Sequence, residues 1–475
     1  MWWWVNLAAA AEPTANFLPA DSSPLWRVAS FLGIFVMIGL SLLMSEDRRA
    51  IRWRPVVWGV GLQLLFTAII VLSPGVSEFF YTVVDGGVRK LLSFSEEGAT
   101  FVFGSIAPHA VKVGEAPELF GGGGHDEVFL GQVSPPVKTF AFWILPTIIF
   151  FSSLMSVLYH LGVMQVVVRA LGWVMMRTMG TSGAESLSTA GNIFLGQTEA
   201  PLLVKPFIAQ MTRSELMCVM VGGFATVAGG VMGAYVKFLD GVPNIAGHLV
   251  IASIITAPAT IAVSKIIVPE TGQPTTLGKV DMQFEKTATN VIEAAGRGAS
   301  EGMSLLLNVG GMLIAFVGLV AMLDWFVSFV PVTFCVDGVR AGYGCAVGAA
   351  EPLSMSRIFG WGFSPLALAM GIPPGEAVAV GRLLGEKMVL TEFVAYIHLG
   401  DLIHADTPVL SERTSIIASY ALCGFANFAS IGIQLGGIGG MAPERMHVLA
   451  SIGVKAMLAG MIATCMAGAV VGALI

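Results

Sequence analysis

The stretch "GNIFLGQTEAP", Gly191 to Pro201, sets Asn192, Gln197, Thr198 and Glu199 within an apolar neighbourhood. Two amides, a hydroxyl and a carboxylate are costly at membrane depth. A chain leaves helical geometry there only where it is buried in protein or lines a wet cavity. This stretch therefore reads as the tip of a re-entrant hairpin, spanning 182–208.

The surroundings support that reading. The chain has 475 residues, 55% hydrophobic and only 12% charged, against about 25% charged in soluble domains. Mean hydropathy is +0.80. Apolar runs near the ~18 residues that suggest a spanning helix fall at about 26–44, 55–73, 139–160, 214–238, 246–269, 302–329, 411–433 and 446–475. The expected class is an all-α polytopic membrane protein of eight spans. The net charge of −6 comes with no basic patch for nucleic acid, and five cysteines are too few for a disulfide scaffold. The first two spans are joined by "SEDRRAIRWR", with Arg48, Arg49, Arg52 and Arg54, so this loop is cytoplasmic and both termini are expected outside. The opening "MWWWVNLAAAAEP" lacks the positive region of a signal peptide and reads as an interfacial aromatic anchor. "VSEFFYTVVDGGVRKLLSFSEEGATFVFG" reads as an amphipathic interfacial helix, with similar ones at 163–178 and 287–300.

A second interrupted segment, 374–408, contains "GRLLGEKMVLTEFVAYIHLG". The first hairpin carries Thr198-Glu199 and is followed by "GFATVAGG"; the second carries Thr391-Glu392 and is followed by "GFANFASIG". Entering from opposite sides, the two form an inverted repeat, the pattern that marks a transporter's midplane site. The expected divisions are an external N-terminal segment 1–25, scaffold with interfacial helices and an external loop 26–180, transport repeat 1 at 181–270, interfacial and scaffold helices with an external loop 271–373, transport repeat 2 at 374–445, and a last scaffold helix 446–475.

The polar groups suggest a ligand. Gln197 has a donor and an acceptor, matching the edge of a nucleobase, and Thr198 and Glu199 extend that edge. Glu392, acceptor-only when ionised, suits a pair of hydroxyls, and Asn427 and Ser430 share a helix face beside it. Phe425 is an apolar wall or ordinary packing. The bland alternative is that both glutamates cap turns through backbone amides. "HLGDLIHAD" offers His398, Asp401, His404 and Asp406 as metal ligands or as solvated surface groups, without a defined ligand geometry. "GWGFSPL" contains the Gly-x-Ser of intramembrane serine proteases but no partner histidine, and no P-loop, dinucleotide fingerprint or H-E-x-x-H is present. A transporter is expected. An intramembrane enzyme using the paired glutamates and a channel are the rival classes.

"GNIFLGQTEAPLL", "GGFATVAGGVMGAY", "VIEAAGRGASEGMSLLLNVGGMLIAF", "TEFVAYIHL" and "ALCGFANFASIGIQLGG" resemble the concentrative nucleoside transporters over roughly residues 26 to 475. The resemblance implies a homotrimer of independently working subunits, each with eight core spans, two hairpins and interfacial helices. It implies nucleoside import, purine or pyrimidine, by symport with sodium or, in some bacterial members, protons, with elevator-like alternating access in a bacterial inner membrane. The extra N-terminal helices of animal members are not expected here. The resemblance also assigns residues: Gln197, Thr198, Glu199 and Val231 to the base; Glu392, Asn427 and Ser430 to the ribose, with Phe425 beside them; Asn192, Leu195, Thr226 and Val227 to sodium. No cofactor is implied beyond the coupling ion. That ligand set is all oxygen, which suits a hard cation. Thr391 stands where the family usually has Asn, and Gly196 resembles members that take both base classes. Cys335 and Cys345 flank a glycine-rich external loop as a disulfide or as two free thiols, while Cys218, Cys423 and Cys465 lie in spans and are expected to stay reduced.

Overall fold

The computed structural model describes residues 23–103, 144–278, 288–329, 353–405 and 409–475. The Trp-rich N-terminal stretch, Asp406, and the Cys335–Cys345 pair lie outside these residues.

The described residues are helical apart from one isolated bridge, Ser182 to Leu277. In order they form α1 (Pro24–Leu43), α2 (Trp53–Leu72), α3 (Pro74–Glu78), a π-helical segment (Phe79–Asp85), α4 (Gly86–Phe103), α5 (Pro146–His160), α6 (Val163–Met179), α7 (Gly183–Gly191), a 3₁₀ turn (Ala200–Val204) and α8 (Lys205–Ile208). Then follow α9 (Arg213–Ala225), α10 (Gly229–Phe238), α11 (Ile245–Ile267), α12 (Val291–Ser328), α13 (Met355–Ala369), α14 (Pro374–Val389), α15 (Glu392–Ile403), α16 (Glu412–Leu422), α17 (Phe428–Met441) and α18 (Met446–Leu474). Among the described residues six helical stretches are by themselves long and apolar enough to cross a membrane, and two bent pairs bring the number to eight.

The ends of the helices sort to two sides. At one, Glu46 of the α1–α2 loop meets Arg213 of α9 at 2.9 Å and Lys455 of α18 at 2.7 Å, and its backbone N–H donates to Ile267 O. The two cations hold the Glu46 carboxyl down at about 2, Arg213 contributing most. At the other side buried Arg413 donates to Gly371 O, Ser30 Oγ and Gly472 O, tying together α16, the α13–α14 turn, α1 and the end of α18.

Four stretches depart from the expected outline. The span 214–238 is α9 plus α10 with a break at Thr226–Ala228, and 411–433 covers α16 and the start of α17 with a break at Cys423–Asn427. Gly-Phe-Ala thus ends a helix at 223–225 and lies in the break itself at 424–426. Thr226 Oγ1 donates to Gly222 O at 2.8 Å, while Asn427 Oδ1 accepts from Ser430 N at 2.8 Å and starts α17 anew. The second break meets the last turn of α9 with little room: a methyl at Gly424 would lie 2.7 Å from Phe224 O. Next, the expected interfacial helix 287–300 and span 302–329 are one helix, α12, with 38 residues and no proline. At 1.5 Å per residue it runs roughly 57 Å. Gly298 and Gly302, four apart, let α12 press on α5, since a methyl at Gly298 would sit 2.6 Å from Ser152 O. Finally, α13 stands where only an external loop was expected; Ser354 caps it, and the axis then turns by 116° into α14. The interfacial α6 does appear, bent by 78° from α5.

A candidate ligand site between two hairpin tips

Hairpin 1 starts on a reciprocal cap. Ser182 Oγ accepts from Glu185 N at 3.3 Å, and Glu185 Oε1 from Ser182 N at 2.8 Å. Glu185 also meets Lys265 of α11 at 2.6 Å, which anchors the base of this hairpin. A cavity of about 30 Å³ lined by Arg52, Thr181, Glu185, Lys265 and Glu270 lies at this base, away from the tip. It has room for roughly one or two waters.

At the tip the chain leaves α7 and turns through Asn192–Glu199. Glu199 is exposed and its Oε2 accepts from Gly196 N at 3.1 Å, the backbone capping that the bland reading anticipates. Gln197 is buried and reaches across to α17. Its Nε2 donates to Ser430 Oγ at 3.1 Å, and its Oε1 accepts from Gln434 Nε2 at 3.2 Å. Gln434 Nε2 also donates to Met220 O at 3.1 Å. A carbonyl only accepts, so Met220 fixes which way the Gln434 amide faces, and Gln434 in turn fixes Gln197. Thr198 packs on α17, where a methyl at Gly437 would be 2.7 Å from its Cγ2.

Hairpin 2 is α14 and α15. Thr391 Oγ1 accepts from Val394 N and caps α15. Glu392 is 4% exposed. Its Oε1 accepts from Tyr235 Oη at 2.9 Å and its Oε2 from Asn427 Nδ2 at 3.2 Å. Tyr235 of α10 stacks on Tyr396 of α15, with ring centroids 4.3 Å apart. Val231 is buried one helical turn before Tyr235. Phe425 is half-buried in the α16–α17 break.

The structure thus joins Gln197, Ser430, Asn427 and Glu392 in one polar line between the hairpins. Glu199 stands apart from that line. Tyr235 and Gln434 complete it, and neither stood out in the sequence, because each lies one turn from apolar neighbours inside a long apolar run.

Two of the residues assigned to a cation, Asn192 and Thr226, meet at Gly222. Asn192 is fully buried; its Nδ2 donates to Ser188 O, and its Oδ1 has no donor within reach. Its amide presses on Gly222, the residue whose carbonyl takes the Thr226 hydroxyl. Phe194 O accepts from Gly229 N at 3.0 Å, which seats the tip on the α9–α10 break beside Leu195 and Val227. Ser188 Oγ, one turn before Asn192, is likewise buried and unpartnered, and was not anticipated. A buried acceptor without a donor is costly unless a cation or water satisfies it, so the residues fit a hard monovalent ion.

The other candidates resolve differently. His398 Nδ1 meets Glu386 Oε2 at 2.8 Å, and His404 Nε2 meets Asp240 Oδ1 at 2.7 Å, so the histidines face separate carboxylates. Among the described residues no group of three or more His, Cys, Asp or Glu is arranged to hold a metal. Ser364 donates to Trp361 O within its own helix. Cys218, Cys423 and Cys465 are buried free thiols.

With this geometry in place, comparison with known proteins is informative. Residues 32–106 and 248–472 match the N- and C-terminal family models for Na+ dependent nucleoside transporters, and 141–241 match a nucleoside recognition model. The chain is 41% identical to an uncharacterized transporter of Haemophilus influenzae over 94% of its length and 97% of that protein. It is 36% identical to human solute carrier family 28 member 3 over 99% of its length, spanning 63% of that longer protein. The solved transporter CNTnw, in an inward-facing substrate-bound state, superposes with a TM-score of 0.78 at 37% identity, covering 94% of this chain and 98% of that one; an outward-facing variant of it gives 0.80. The chain belongs to the concentrative, Na+-dependent nucleoside transporter family, a family of transporters and not of enzymes.

Proposed function

We propose that the chain imports nucleosides by cation symport, with sodium as the coupling ion and protons as the alternative. The observation that carries this reading is the polar line joining Gln197 of one hairpin to Glu392 of the other through Ser430 and Asn427. A nucleoside has the matching chemistry: a flat base edge with donors and acceptors, and a ribose whose hydroxyls donate to a carboxylate. Gln197, Thr198 and Glu199, with Val231, hold the base. Glu392, Asn427 and Ser430 hold the ribose, with Phe425 as the wall beside it. The cation sits between Asn192 Oδ1, the Thr226 hydroxyl and the carbonyls of Leu195 and Val227. It braces hairpin 1 against the α9–α10 break and so orders the base pocket. The orphaned Asn192 oxygen supports sodium over a proton, since an amide oxygen does not titrate in the working range.

Alternating access follows by carrying the hairpins and broken helices past the scaffold as one unit, in a homotrimer in a bacterial inner membrane with both termini outside. Uptake of labelled uridine and adenosine into proteoliposomes tests the reading. Accumulation under an inward sodium gradient is expected. Accumulation under a pH gradient alone transfers the coupling to protons, and turnover of substrate without accumulation overturns symport.

A further inference from the structure

Tyr235 belongs to α10 of the first repeat, and the carboxylate it meets belongs to the second. Its side chain is fully buried. The ring stacks on Tyr396 with centroids 4.3 Å apart and meets Phe393 edge-on at 5.5 Å, both residues of α15. Tyr396 is itself anchored, because its Oη donates to Ser419 O of α16 at 2.7 Å. The Tyr235 ring is therefore held by fixed neighbours, and its hydroxyl is aimed at Glu392 Oε1, 2.9 Å away.

Phenylalanine would serve packing alone at this place. A phenol hydroxyl inside an aromatic cluster is costly unless it finds a partner, and a carboxylate as buried as Glu392 needs donors in return. Tyr235 and Asn427 donate to different oxygens of Glu392. Asn427 is fixed in its turn, since its Oδ1 accepts from Ser430 N at the start of α17. A carboxylate accepts at about four positions, so two donors from two helices set its plane without exhausting it. What remains is directed acceptor capacity, which suits the hydroxyls of a sugar.

We propose that Tyr235 is a specificity-determining positioning residue: by holding Glu392 Oε1 it turns the carboxylate towards the sugar hydroxyls, and so selects ribosides over deoxyribosides without touching the sugar itself. This rests on the nucleoside reading above. It adds that the sugar preference of hairpin 2 is set by a helix of the other repeat. Val231, assigned to the base, lies one turn earlier on that same helix, so α10 serves both halves of the ligand.

The test is Tyr235→Phe in the purified protein with sodium, measuring displacement of labelled uridine by uridine, 2′-deoxyuridine and 3′-deoxyuridine. The substitution removes one oxygen and keeps the ring. Uridine Kd is expected to weaken about tenfold. The Kd of the analogue lacking the hydroxyl that Glu392 accepts is expected to change by less than about twofold, so that the preference for uridine over it narrows. Equal losses for all three ligands make the hydroxyl a support of the pocket as a whole and overturn the proposal, as does an unchanged uridine Kd. A melting-temperature cycle of Tyr235→Phe and Glu392→Gln needs no ligand: a double loss smaller than the sum is expected, and strictly additive losses overturn the proposal. If Tyr235→Phe alone does not fold, rescue by adding Glu392→Gln is expected, because a neutral amide is cheaper to leave short of a donor; failure of that rescue overturns the proposal. A wild type that binds no uridine instead overturns the nucleoside reading.

Discussion

Hairpin 2 comes with its carboxylate seated, and hairpin 1 does not. Glu392 is buried and receives hydrogen bonds from Tyr235 and Asn427, residues of two other helices. Glu199 is exposed and reaches only Gly196 of its own turn. The same Thr-Glu pair therefore ends in two environments. A side chain already held by its neighbours loses little freedom when a ligand arrives. Glu392 is therefore held in place before any ligand arrives, whereas Glu199 is held only by its own turn.

The largest effect should come from the seated carboxylate. Glu392→Gln is expected to weaken uridine binding by about 2–5 kcal/mol, because one partner of a buried charged hydrogen-bond network is lost. Calorimetric titration that finds unchanged affinity would remove the ribose assignment. Next is the cation side. Asn192→Ala should lower uridine affinity by about 1–3 kcal/mol at fixed sodium and flatten its sodium dependence, since coupling between two sites is reciprocal; sodium titrations at several uridine concentrations would show it. Gln434→Leu should follow at about 1.4 kcal/mol, a tenfold weaker uridine Kd, by leaving Gln197 Oε1 without its donor. Glu199→Gln should cost less than any of these, under about 1 kcal/mol, because an exposed turn cap retains its amide oxygen. A Glu199→Gln loss as large as that of Glu392→Gln would erase the contrast between the hairpins.

The smallest effect lies far from both tips. Glu46 titrates below its usual range through Arg213 and Lys455. Its folded form therefore gains stability that is fully present above the ordinary carboxylate range and is lost as pH falls from about 4.5 towards about 2. All three side chains are partly exposed, so screening keeps the gain under about 1 kcal/mol. Thermal melts of Glu46→Gln should differ from wild type slightly at pH 7 and converge with it at low pH.

Hairpins and spans were legible because they rest on contrast: polar residues in apolar runs. The breaks at Thr226–Ala228 and Cys423–Asn427 were not, because "ATVA" and "CGFAN" hold too few polar groups to interrupt a hydropathy window. What opens the helices there is tertiary, one backbone against another. Tyr235 and Gln434 escaped for a related reason. Each reads as a single polar residue in a span, and only folding shows that Tyr235 meets a carboxylate 157 residues away. The continuity of α12 was hidden because its polar first turns and apolar later turns suggest two different elements.

The crossing at Gly424 has a mechanical consequence. A side chain there would strike Phe224 O and the Ala225 carbonyl, so the unwound segment of the second repeat meets the last turn of α9 as bare backbone. Gly460 of α18 closes on the same point, where a methyl would lie 2.5 Å from Phe224 Cβ. Bare backbone in contact leaves no soft layer of side chains to shear. The two repeats are therefore joined there by main chain, and a displacement of the α16–α17 break presses directly on the end of α9.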